Sequence, residues 1–196
     1  MNPSRNVSIK WGLVALTTCL SAFGLPSLAA DAQPGAAVAG TWQPHKDRFD
    51  YNGITSLYTC SGLEERTKQI LIHFGARKDI HVNANGCTRG PYSPSRYASV
   101  HAEFYTLAPA ADATGAGTVN AQWTALEMRP RHPFFMGDGD CELVKSMQEF
   151  LARNFTLRDV DYSTGCVPHD LTLNGFSVKA EALKAIPTPK VSALVH

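Results

Sequence analysis

The chain has 196 residues, with 18 Lys and Arg against 17 Asp and Glu, a formal net charge of +1. So even a balance gives no electrostatic footprint for nucleic acid and no polybasic patch for anionic lipid. It leaves a protein or an envelope component as the expected class of partner.

The first ten residues are polar, carry Arg5 and Lys10 and no acid; Trp11 to Leu25 is apolar, and Pro26 and small residues follow. That order predicts a secretory signal peptide over 1–30, cleaved after Ala29, Ala30 or Ala32. The apolar run is short for a membrane span, which takes about 20 residues, and no second long apolar run follows, so no membrane span is expected after cleavage. The remaining ~165 residues suffice for one domain with its own core. The compartment expected is the periplasm, or secretion from a Gram-negative cell.

Residues 31–41 are rich in Ala and Gly and read as a flexible lead. From Trp42 to residue 186 a single domain is expected. Trp42 to Gly53 reads as an irregular strand ending at Asn52-Gly53, and the β-branched and aromatic stretch Ile54 to Cys60 as a strand leading into a helix. The helix is predicted over Ser61 to Phe74. Ser61-Gly62-Leu63-Glu64 has the pattern of a capping box, Leu63, Thr67, Ile70, Leu71 and Phe74 share one face, and Gly75 stops it. Asp79 to Asn85 follows as a strand.

Ala98 to Leu107 alternates, with Val100, Ala102, Phe104 and Thr106 on one side. Val119 to Met128 also alternates, with Val119, Ala121, Trp123 and Ala125 together. A second helix is predicted near Glu142 to Asn154, with Asp140 as its N-cap and Leu143, Val144, Met147, Phe150 and Leu151 on one face. A strand near Asp159 to Ser163 comes next. Leu171 to Val178, centred on Asn174-Gly175, has the signature of a type I′ hairpin, and 187–196 reads as a disordered tail. The order β-α-β-β-β-α-β plus a C-terminal hairpin predicts an α+β fold. Two helices would lie on one face of a mainly antiparallel sheet, in a ferredoxin-like sandwich.

Cys19 lies in the leader. The four other cysteines bound two similar segments, 60–87 and 141–166, each running Cys, helix, basic–acidic corner, strand, Gly-Cys. Leu63 aligns with Leu143, Leu71 with Leu151, and Ala76-Arg77-Lys78-Asp79 with Leu157-Arg158-Asp159, so the segments read as an internal repeat. In an exported chain an even cysteine count points to disulfides. A helix of about 14 residues climbs ~21 Å and a strand of seven returns ~23 Å. That match brings the ends of each segment together and favours Cys60–Cys87 with Cys141–Cys166. Cys60–Cys141 with Cys87–Cys166 is the alternative that respects the repeat.

Several residues have chemistry to weigh. A cysteine at a helix N-terminus is a possible nucleophile, but there is no C-x-x-C, and Cys60 and Cys141 have structural partners available. Cys166-Val167-Pro168-His169 is a C-x-x-H pair that suits zinc or copper, with His73, His81, His101 and His132 elsewhere, but no second close-spaced ligand pair. Asp138-Gly139-Asp140-Cys141-Glu142 gathers three carboxylates without the later ligands of a calcium loop; a capped turn is the simpler account. No nucleophile elbow, zincin helix or phosphate loop is present. Two basic–aromatic loops, Thr88 to Tyr97 and Arg129 to Phe135, offer Arg89, Tyr92, Arg96, Arg131 and Phe134 as candidate binding residues, because Arg and aromatics dominate interface energetics.

The segments Thr59-Cys60-Ser61-Gly62-Leu63-Glu64, Phe74-Gly75-Ala76-Arg77, Asn85-Gly86-Cys87, Asp140-Cys141-Glu142-Leu143-Val144 and Gly165-Cys166-Val167-Pro168-His169 resemble a group of small, uncharacterised exported proteins of Gram-negative bacteria. The resemblance implies a periplasmic or secreted location and structural cysteines, and brings no catalytic residue. The expectation is therefore a non-catalytic binding or structural protein of the envelope, without cofactor. A periplasmic copper- or zinc-handling protein using Cys166 and His169 is the alternative, and a hydrolase or thiol enzyme without a recognisable motif is third.

Overall fold

The computed structural model describes residues 37–87, 94–111, 115, 117–170 and 175–187. The proposed leader and tail, and Leu171–Asn174 of the expected hairpin, lie outside the described residues. Two helices and six strands follow in the order β1 (Ala37–Asn52), α1 (Cys60–His73), β2 (His81–Asn85), β3 (Tyr97–Pro109), β4 (Thr118–Met128), α2 (Cys141–Asn154), β5 (Leu157–Gly165) and β6 (Gly175–Ala185). The strands form one antiparallel sheet, β2-β3-β1-β4-β6-β5. The fold is α+β, as expected.

The strand order has the same form from either end. In the first half β1 and β2 both run antiparallel to β3, which lies between them, and α1 makes the crossover. In the second half β4 and β5 flank β6 in the same way, with α2 as the crossover. The halves meet where β1 pairs with β4, from Ala37↔Gln122 to Thr41↔Thr118. The two β-α-β units thus sit side by side, and the interleaved ferredoxin-like arrangement is not confirmed.

Both helices bury the faces their periodicity predicts: Leu63, Thr67, Ile70 and Leu71 on α1, and Leu143, Val144, Met147, Phe150 and Leu151 on α2. These join one core with Val100, Ala102 and Phe104 of β3 and Phe176, Val178, Ala180 and Ala182 of β6. Gly75, at φ +103°, ends α1 in a conformation that favours glycine. The cap at the other end is Thr59, whose Oγ1 accepts from Gly62 N–H at 3.0 Å. The N-cap thus lies two residues before the expected Ser61, no capping box forms because N3 is Gly62, and Glu64 is released for another partner.

Four expectations change. The small residues 37–41 are strand instead of flexible lead. A Cβ on Gly40 would stand 3.2 Å from Ala121 Cβ and 3.3 Å from Leu107 Cδ2, so small side chains are what the junction of the halves requires. Ile54 to Thr59 is not a strand: a carboxylate described below takes the amides of Ile54, Thr55 and Ser56, and Tyr58 makes an isolated bridge to Ser95. Val119, Ala121 and Trp123 do share a face, but the helix-free one, where they cluster with Val38, Trp42, Leu107 and Leu183; Ala125 is exposed. Leu126 and Met128 supply the helix side of β4. Finally, Phe176-Ser177-Val178 opens an eleven-residue strand paired with Tyr162 to Thr164 of β5.

Candidate functional site

The four cysteines form Cys60–Cys87 and Cys141–Cys166, the pairing that the length match favours. Each bond ties the N-terminus of a helix to the residue just beyond the returning strand or at its end. Cys166 is therefore no thiolate, and the Cys166–His169 metal pair loses its sulfur ligand. His169 is exposed, has φ +63°, and gives its N–H to Thr55 Oγ1 at 2.8 Å. Among the described residues no three His, Cys, Asp or Glu side chains are grouped to hold a metal ion.

The acidic stretch before α2 is a clamp. Glu142 is 7% exposed, and its carboxylate accepts from the backbone N–H groups of Ile54, Thr55 and Ser56, each at 3.0 Å. Burial pushes the Glu142 carboxyl up, but the three amides outweigh it and hold it below the usual glutamate range. Asp140 accepts from Tyr58 Oη and from Gly137 N–H at 2.6 Å, and Arg66 Nε stands 3.6 Å away. It occupies the N-cap position of α2, yet its side chain makes no capping hydrogen bond there. Burial, then the nearby carboxylates, push the Tyr51 and Tyr58 hydroxyls well above the usual tyrosine range. With acceptors and donors matched to each other inside the fold, the cluster is suited to joining the halves and not to proton transfer.

The candidate binding residues divide. Arg89 and Tyr92 lie outside the described residues. Arg96 is exposed beside the 64%-exposed Tyr97, and its carbonyl accepts from Gly53 N–H at 2.7 Å. Arg131 and Phe134 sit on the turn after β4, whose hydrogen bonds run to other partners. Arg129 and His132 exchange backbone bonds at 2.7 and 2.9 Å, Arg131 N–H donates to Met136 O at 2.8 Å, and Met136 N–H to Pro133 O at 2.8 Å. Phe135 packs edge-on to His73, with Arg66 5.9 Å from its centroid. Phe134 projects from this braced turn 94% exposed. It is flanked by Arg129, which pairs with Glu127 at 3.4 Å, and Arg131, which pairs with Asp138 at 2.8 Å.

Two features escape sequence reasoning. A cavity of about 230 Å³ opens between α2 and β5, walled by Phe74, Leu151, Phe155, Leu157, Val160 and Val178, with Ala152 at its margin. Each of these residues is accounted for by the core pattern, and no sequence signal says that they leave a gap. On the helix-free face, Arg77 lies 3.8 Å over the ring of Tyr105 and Arg158 lies 3.7 Å over Trp123. The basic–acidic corners of the two segments give the signal for this pair; Arg77 is held by Asp79 at 2.6 Å, and Arg158 by Glu181 at 2.7 Å. A hollow of about 370 Å³ near Lys46, His81 and Glu103 is lined by groups already paired, Lys46 to Glu103 at 2.6 Å.

No known protein family, curated protein or solved structure matches the chain.

Proposed function

We propose that this is an exported, disulfide-stapled protein of the periplasm or the extracellular space that works by binding, with the turn carrying Phe134 as its anchor. The carrying observation is the 94% exposure of Phe134 on a turn braced by its own backbone bonds and by Phe135 beneath it. An aromatic side chain held out by a rigid support loses little entropy when a partner covers it, the property of an interface hot spot. The two disulfides suit an oxidising compartment. They also occupy the residues best equipped for nucleophilic or metal chemistry. The common topology of the two halves supports reading the cysteine-bounded segments as an internal repeat.

The test has two parts. Met1–Asp31 fused to a reporter that is active only outside the cytoplasm should yield active reporter. The purified protein, immobilised and exposed to envelope extract, should retain a partner that Phe134→Ala loses by tenfold or more while melting as the parent does. An inactive reporter would refute export, and undiminished capture by Phe134→Ala would refute the anchor.

A further inference from the structure

We propose that the protein associates head to tail with a second copy of itself, Phe134 of one molecule entering the cavity between α2 and β5 of the next. This rests on the reading of Phe134 as a binding anchor and names its partner. Three observations carry it.

The first is size and chemistry. The cavity measures about 230 Å³ and its walls are mainly hydrocarbon, with Gln148 and Tyr162 as the polar residues of the lining. An apolar cavity of ~150 Å³ accommodates a benzene ring, so this one admits a phenyl group. Phe134 is the most exposed of the large apolar side chains described, and Val160, on the cavity rim, is itself 54% exposed.

The second is charge. Around Phe134 the turn is basic, with exposed Arg129, Arg131 and His132. Beside Val160 in the chain stand the exposed Asp159 and Asp161, with Lys179 opposite Asp161 in the register and exposed Arg153 next to Ala152 across the cavity. The Arg129–Glu127 and Arg131–Asp138 pairs are solvent-exposed. Such surface pairs exchange partners at little cost, so both arginines are available to Asp159 and Asp161 of a facing molecule.

The third is that the usual route to self-association of a sheet is obstructed at both ends. On edge strand β2, Ala84 N–H donates to Glu64 Oε1 at 2.9 Å, which occupies an amide that a docking strand would need. On edge strand β5 the register breaks between Arg158 and Asp161, with Asp159 at φ +50°. Bulges and side-chain cover are how edges resist strand addition. A knob-and-pocket contact uses neither edge. The contact joins two different surfaces, so it builds a ring or an open chain unless two copies exchange knobs reciprocally across a two-fold axis, which closes a pair.

The experiment is sedimentation of the purified protein up to about 1 mM, the range of weak contacts, with Phe134→Ala, Ala152→Lys and an equimolar mixture of the two. Ala152 is exposed on the last turn of α2, where a lysine suits the helix end while its bulk and charge close the cavity to a basic turn. Parent protein should associate with rising concentration. Each variant alone should sediment as a monomer at loadings where the parent does not, with melting unchanged. The mixture should form dimers and nothing larger, because one partner keeps only the pocket and the other only the knob. A monomeric parent, association of Phe134→Ala equal to the parent's, or a monomeric mixture would each overturn the inference. If the parent is monomeric while Phe134 still captures an envelope partner, the occupant is another protein and the binding reading survives. If capture is also independent of Phe134, both fall.

Discussion

The two halves share one topology, yet their helices carry different loads. On α1 the buried residues are Cys60, Leu63, Thr67, Ile70 and Leu71; α2 buries those at the matching places, with Phe150 where α1 has Ile70, and adds Glu142, Val144 and Asn154. Three of these α2 residues reach outside the second half. Glu142 grips the amides of Ile54 to Ser56, Phe150 meets Phe49 and Phe104, and Asn154 binds Asp47 at 2.7 Å while its carbonyl accepts from Thr106 Oγ1 at 2.8 Å. Glu64 of α1, by contrast, stays at home on β2. Equal architecture therefore does not mean equal roles: α2 reaches into the first half with buried groups, while α1 meets the second through the half-buried Arg66, beside Asp140, and His73, against Phe135.

The contrast can be broken or sharpened by substitution. The largest effect is expected from Phe150→Ala, which empties a site filled from both halves and should cost about 4 kcal/mol in urea or thermal unfolding. A cost below ~2 kcal/mol would mean that α2 is no more central than α1. Next come the disulfides. Their sequence separations of 27 and 25 residues are nearly equal, so removal of either by paired Cys→Ser changes should cost about 3.5 kcal/mol by chain entropy. Cys141 is fully buried and Cys60 slightly exposed, so the loss at Cys141–Cys166 should be the greater.

Glu142→Gln should cost about 3 kcal/mol, since several charge-assisted bonds are weakened together, against about 0.5–1 kcal/mol for Glu64→Gln with its single bond. The pH dependence has a definite sign. The Glu142 carboxyl lies lower in the folded protein than its ordinary value of about 4.3. Its contribution is thus complete above that value and lost as pH falls through the folded one. Stability measured from about pH 5 down to 2 should fall less steeply in Glu142→Gln. His73, lowered from the ordinary histidine value chiefly by burial, is present in both proteins, so its contribution cancels in the comparison. An unchanged acid slope would mean that Glu142 is not a charged clamp. The smallest effect is a gain. Thr67 Oγ1 is buried on α1 without a hydrogen-bond partner, and Thr67→Val should stabilise by about 1 kcal/mol.

Much of the fold was legible because it rests on local periodicity. The ten helix-face residues named from spacing are buried, and the disulfide pairing follows from how far a helix climbs and a strand returns. Strand assignments failed where non-local partners decide. Ile54 to Thr59 has strand composition, but Glu142, more than eighty residues on, takes the amides of Ile54, Thr55 and Ser56. Val119, Ala121 and Trp123 alternate correctly, yet periodicity cannot say which side receives helices. Of the binding candidates, Phe134 could be singled out by type and loop context. Its exposure beside a buried-facing Phe135 is a matter of packing that two adjacent phenylalanines do not announce.

The amino-acid sequence by itself determined the two helices, the faces they bury and the α+β class, and favoured one cysteine pairing over its alternative, because each depends on spacing within one segment and on standard rise per residue. Only the tertiary structure decided the strand order, the clamp made by Glu142, the braced turn under Phe134 and the cavity beside α2. These depend on groups brought together from opposite halves of the chain, where the winner is whichever distant donor, carboxylate or ring fills the space, and no local pattern carries that information.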